Sequence, residues 1–378
     1  MDREDRLFDT YERDDSKPRS YNEPTFCFWN RSAWPKARAY RDLSERIFGD
    51  YPQGRRKDMR RRFRSKQGNQ HESALLELLL FAVLRPFNVR VRPDTPDFEF
   101  NPGQRTCLLE ATACREPEDM PVLLQDILDD INSRMSSSDY YLQVSGRGRL
   151  TRKPPFRKYR GPIEKLLQTP RSQVVPERLE TWPTENIPLH EYGNRDSYGR
   201  ECALQVQLIP GSPQPDARLI GMPDFGEASW LLDDEERGAG RILDAVREKA
   251  SKMAGYGNGY IAVSLPEAFL LDTTDAAPRA LYGVSRELAR LGIDSPGDYL
   301  WRPGARDHIQ GVVVLGKLLP YALDVPAMIC RLYMAPGAHE PPEPLSRLPR
   351  VWLEGSELRS QPGETLGALV RDGLGVSL

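Results

Sequence analysis

The sequence predicts an α/β (α+β) fold with one mixed central sheet flanked by helices. Three observations predict it. Between Glu72 and Gly146 the text reads helix, three strands, helix, strand. After residue 200 the alternation resumes with "ALQVQLIP", "RILDAVREKASKMA" and "YIAVSL". And 39% apolar residues in a chain of 378 are enough for a sizeable core, in one elaborated domain or two.

Taken in order, residues 1–24 are polar and densely charged, which predicts a mobile N-terminus. Residues 25–70 turn aromatic and basic and read as a helical extension, with one helix near Ala39–Phe48 and a basic helix after it. The expected core runs over residues 71–334. It opens with the strongly apolar helix Glu72–Leu84, followed by strands at "NVRVRPD", "DFEF" and "RTCLLEATA", the last two joined by a turn at "NPGQ". "MPVLLQDILDDINSRM" has helical spacing, "YYLQVSG" reads as a strand and "PIEKLLQ" as a short helix. A proline-rich stretch near 169–200 reads as a connection or insertion. "QGVVVLGKLLP" and "AMICRLYMA" give two late strands, and residues 335–378 read as a C-terminal extension.

Several classes are excluded. The longest apolar stretch, "ALLELLLFAVL", is too short to span a membrane and contains Glu77. The N-terminus lacks the apolar segment of a signal peptide, so the cytoplasm is the expected compartment. Five cysteines without CxxC spacing and four scattered histidines argue against zinc and disulfides. Neither a G-x-S-x-G motif nor a paired Cys/His context supports a serine or cysteine hydrolase.

Chemistry enters with the carboxylates of "PDFEFNPGQRTCLLEATA". Strand alternation places Leu108, Glu110 and Thr112 on one face, and Asp97 with Glu99 on one face of the preceding strand. A hairpin joining the two brings Asp97 beside Glu110. Carboxylates held close repel, and a divalent cation relieves the repulsion; Mg²⁺ (or Mn²⁺) suits one or two protein carboxylates. Asp94 competes with Asp97, but "FEF" continues the strand from Asp97. Glu77 lies on the most apolar helix of the chain, flanked by Leu76 and Leu78. Any one acid alone reads as a structural pair; three in this order read as a site.

A helix bearing Glu, then "PD", then a strand ending in E-x-(K) resembles the PD-(D/E)xK nuclease superfamily, the restriction-endonuclease-like fold. More narrowly, "RRRFRSKQGNQHESALLEL", "PDF", an E-A-T ending and "KASKMAGYG…YIAV" are similar to a group of uncharacterised bacterial proteins of that superfamily, over roughly Trp29 to Gly283. The resemblance implies metal ligation by Asp97 and Glu110, with Glu77 as the helical acid supporting the metal or its water. Where those relatives carry a helical histidine this chain has Phe81, and where the motif has lysine it has Thr112.

Lys249 is the expected replacement. It falls within the apolar arc of its helix, between Ala245 and Met253, and a lysine on a buried stripe needs an acidic partner or must reach water along the core. Thr112 offers a hydroxyl for water or ligand, or is simply a good strand former. Two basic stretches, with Arg55, Arg56, Arg60, Arg61, Arg62 and Arg64 in one and Lys153, Arg157 and Lys158 in the other, hold fifteen Lys and Arg against one Asp. They suit nucleic-acid backbones, DNA above all, without sequence reading, although a solvated helix face and a loop would look alike. The expected function is a Mg²⁺-dependent nuclease. The alternative is an inactive nuclease-fold module that binds nucleic acid or a protein, and a homodimer is compatible with either.

Overall fold

The computed structural model describes residues 6–15, 17, 23–103, 105–114, 122–137, 139–147, 149–170, 172, 183–195, 201–210, 220–223, 229–256, 259–265, 276–284, 298–302, 308–316, 318, 330–355 and 357–375. In chain order, helices α1 (Thr25–Arg31), α2 (Pro35–Asp50), α3 (Gln53–Phe63) and α4 (Gly68–Leu84) lead into strands β1 (Arg90–Val91), β2 (Phe98–Phe100) and β3 (Cys107–Ala113). Then come α5 (Val122–Arg134), β4 (Tyr140–Arg147), β5 (Arg149–Leu150), α6 (Arg157–Leu167), β6 (Thr184–Pro188), β7 (Gly193–Asn194), β8 (Ala203–Pro210) and β9 (Ile220–Pro223). The chain continues through α7 (Ser229–Met253), β10 (Gly259–Ser264), α8 (Ala276–Tyr282), β11 (Ile309–Leu315), β12 (Cys330–Met334), β13 (Arg350–Glu354), β14 (Glu357–Gln361) and α9 (Leu366–Leu374).

The chain divides into two compact units. One comprises residues 1–14, 24–116 and 233–378 and carries an eight-stranded mixed sheet in the order β1-β2-β3-β10-β11-β12-β13-β14. The other comprises 15–23 and 117–232, with a four-stranded sheet β6-β8-β4-β9 and a two-stranded pair β5-β7. The α/β class holds. The second unit takes in residues 15–23 and resumes at residue 117, ahead of the proline-rich text near 169–200.

In the first unit β2 and β3 form the expected antiparallel hairpin, with Phe98 opposite Leu109. β3 then pairs in parallel with β10, Glu110 opposite Ile261. A parallel pair is covered on both faces, which is why "GYIAVS" is buried at every residue. On one face Leu109 and Ala111 join the side chains of α4 and the N-terminal helices. On the other, Leu108, Ile261 and Val263 meet Ile242, Val246, Ala250 and Met253 of α7. α4 is apolar almost all round and buried almost all round, as a helix without a polar face must be.

Three segments differ from expectation. The charged N-terminus does not float at residues 7 and 8: Leu7 and Phe8 are buried, and their N–H groups donate to the Glu45 carboxylate at 3.2 and 2.8 Å. The C-terminal stretch extends the main sheet through β13 and β14, and α9 packs on α4 so closely that Gly373 lies against the Ala82 carbonyl with no room for a Cβ. Within 169–200, β6 pairs with β8, and only Ile187 of its five residues is buried, so an edge strand carries little apolar signal. Residues 171, 173–182 and 196–200 of that stretch, and "LYGVSRELARLG" beyond residue 284, lie outside the described residues. Among the described residues no helix is long and apolar enough to cross a membrane.

Candidate active site

Continuing the β2–β3 register one step beyond Phe98 puts Asp97 opposite Glu110, and their hydrogen bonds cross. The Asp97 N–H donates to Glu110 Oε2 at 2.9 Å, while the Ala111 N–H donates to Asp97 Oδ2 at 2.8 Å. Lys249, held in place on α7 by buried Val246, Ala250 and Met253, donates from Nζ to Glu110 Oε1 at 2.6 Å. Glu110 is 1% exposed, whereas Asp97 is half-buried and the Lys249 side chain keeps 21% of its exposure. The three residues form one cluster whose Asp97 and Lys249 side opens to solvent. Thr112 stands half-buried two residues beyond Glu110, paired with Val263.

Burial first, then the Glu110 and Glu77 carboxylates, pushes Asp97 up to about 7, against the pull of the Ala111 N–H and Lys249. Burial works against the charge on Lys249, but the bonded Glu110 and nearby Asp97 hold its ammonium above the usual lysine range. One cation therefore faces two acids, and the cluster carries surplus negative charge. A raised carboxyl favours the folded state below its unfolded value of 3.8 and loses that contribution as pH rises through about 7. Chelated protein is thus expected to lose resistance to urea across that window, with a slope that Asp97→Asn flattens. An equal slope in the variant would refute the assignment.

Glu77 is buried as expected, at 4% exposure, but differently engaged. Tyr51 donates its hydroxyl to Oε1, and Arg62 Nη1 lies 2.6 Å from Oε2 while its Nε bonds Asp58 at 2.9 Å. Burial, then the Glu77 carboxylate, raises the Tyr51 phenol far above its ordinary range, so the phenol remains a donor. Both Glu77 oxygens thus have partners, and this acid is engaged by Tyr51 and Arg62 rather than joined to Asp97 and Glu110. Among the described residues no group of three or more His, Cys, Asp or Glu is gathered to hold an ion. The pair nevertheless has the donor chemistry of a hard cation's site, carboxylate oxygens only, with the Lys249 ammonium bonded to it.

The arginines of α3 and its end are largely spent inside the protein. Arg56 bonds the carbonyls of Tyr51, at 2.8 Å, and Gly49; Arg60 bonds that of Arg6 at 2.7 Å, and Arg64 that of Leu7 at 3.0 Å. Arg55 reaches the Pro93 carbonyl at 3.2 Å, and Arg61, which stays exposed, pairs with Asp58. In the second unit Lys153 pairs with Asp130 at 2.8 Å, Arg157 is exposed and Lys158 half-buried. The expected phosphate-binding face on α3 is therefore narrower than its arginine count implies.

Sequence reasoning missed Tyr51 and the inward role of Arg62. A signal for the second existed: Arg62 sits beside Phe63 and three residues after Met59, the two buried side chains of α3. That is the same kind of position that singled out Lys249. Comparison with family models, with curated proteins and with solved structures finds no match in any of the three.

Proposed function

We propose that this chain is a metal-dependent nuclease of the restriction-endonuclease-like fold, hydrolysing a phosphodiester of nucleic acid, DNA in the first instance, at Asp97 and Glu110. The observation that carries the reading is the crossed carboxylate pair on adjacent strands with Lys249 bonded to it. Asp97 and Glu110 would hold the cation, Mg²⁺ or Mn²⁺, which supplies positive charge for the phosphoryl oxygens and acidity for the attacking water. Lys249 keeps an ammonium where the motif lysine would act, supplied from a helix because the strand offers Thr112. Glu77 adds negative potential from behind, fixed by Tyr51 and Arg62. Arg61 in the first unit and Arg157 in the second are both exposed, which suits contact with a phosphate backbone.

The Thr112 substitution supports a second reading, an inactive module that binds nucleic acid or a protein. One experiment separates them. Mn²⁺ is titrated into wild type and Asp97→Ala/Glu110→Ala by calorimetry, with and without a short duplex, and cleavage is assayed in parallel. Binding and cleavage in wild type, both lost in the variant, are expected. Duplex binding without cation uptake in either protein would leave the binding module.

A further inference from the structure

The structure assigns a second element beside the carboxylates: Tyr256 and Arg92 form a platform on which one unpaired nucleobase stacks. This rests on the nuclease reading and names the part of the substrate it would grip. β1 pairs with β2 with Arg90 opposite Glu99 and Val91 opposite Phe98, and the next pair in that register is Arg92 opposite Asp97. The Arg92 N–H donates to the Asp97 carbonyl at 2.9 Å, so Arg92, Asp97 and Glu110 stand in one row across the sheet. Arg92 Nη1 lies 3.5 Å from Glu99, and its guanidinium lies over the Tyr256 ring, 5.2 Å from the centroid.

Tyr256 follows α7, the helix that carries Lys249, and its N–H is bonded to the Met253 carbonyl at 2.9 Å. It remains 46% exposed and is one of two large exposed hydrophobic side chains among the described residues. A ring held on one side by an arginine and open to water elsewhere has the chemistry of a base-stacking surface, with cation–π support. Glu99 is two residues from Asp97, about 7 Å along the strand. Arg92 spans that interval, bonded to the Asp97 carbonyl and reaching Glu99, so a strand whose phosphate lies at Asp97 passes the side chain that carries the ring. Stacking on an aromatic needs a base free of its partner, which points to single-stranded nucleic acid or a frayed end.

The other exposed tyrosine, Tyr11, is the internal control. It too has an arginine over its ring, Arg13 at 4.6 Å, but its hydroxyl bonds the Asn30 carbonyl and it plays no part in the carboxylate row. The test measures anisotropy of dye-labelled oligo(dT) and oligo(U) with the full chain in chelator, so that no cleavage is involved. Tyr256→Ala is expected to weaken binding roughly 5- to 150-fold, the range of one base–aromatic stack. Tyr256→Phe should hold wild-type affinity, Tyr11→Ala should change nothing, and an abasic scan should find one position whose removal costs wild type but not Tyr256→Ala. The better-bound oligomer distinguishes DNA from RNA. Tyr256→Ala binding as tightly as wild type overturns the platform, as does a wild type that binds neither oligomer. Loss of affinity in Tyr256→Ala from a protein that never cleaves would instead leave the platform standing and retire the nuclease.

Discussion

Replacing Lys249 with Met is expected to destabilise the chelated protein by about 3 kcal/mol near neutral pH, the lower end of the cost of stripping a buried ion of its partner. Glu110, 1% exposed, keeps its bond from the Asp97 N–H but loses its only cationic neighbour in the cluster. The lower end applies because Lys249 itself is 21% exposed and water can enter where its ammonium stood. Methionine retains length and apolar volume beside Val246 and Ala250, so packing is a minor part of the loss. Two uncompensated carboxylates then remain, and a divalent ion should restore more stability to the variant than to wild type. Urea unfolding with chelator and with Mn²⁺ measures both quantities. Equal midpoints for the two proteins in chelator would show that the lysine merely lies along the core.

Arg62→Met should cost about 3 kcal/mol by the same physics, since the Arg62 side chain is 24% exposed, close to the 21% of Lys249. Glu77 is 4% exposed and would be left with the Tyr51 hydroxyl alone. The Asp58 contact of Arg62 adds little, because the Asp58 side chain is 42% exposed; Asp58→Ala is expected within about 0.5 kcal/mol of wild type. The sharper result comes from the double variant Arg62→Met/Glu77→Leu, which removes both charges and fills the space with apolar atoms. It should be more stable than Arg62→Met and approach wild type. If the losses simply add, the ion pair is not what holds α3 to α4.

What could be read in the sequence was written in isolated charges within apolar text. Glu77 and Glu110 each interrupt a run of buried side chains, Lys249 falls on the apolar arc of its helix beside Val246, Ala250 and Met253, and the β2–β3 hairpin followed from its turn and alternation. The partners of the α3 arginines could not be read, because most of them are main-chain carbonyls, present in every residue and invisible to composition. β13 and β14 were missed for another reason. Val351 is the only buried residue of the ten, so the hairpin has no apolar stripe to announce it and is defined by its pairing with β12. Tyr256 and Arg92 lie in short connecting segments, where the register of neighbouring strands, not their own pattern, decides what they face.

The parallel neighbour of β3 is β10, and residues 117–232, most of the second unit, are made between them. Glu110 and Lys249 are 139 residues apart. At about 5–20 residues per second of synthesis, the lysine emerges roughly 7 to 28 s after the acid. During that interval residues 117–232 can collapse as a unit of their own, while β3 waits as an open edge with its carboxylate uncompensated. Of the seams in the main sheet, β3–β10 therefore waits longest for its second strand, and β3 is most exposed to mispairing before residue 259 leaves the ribosome.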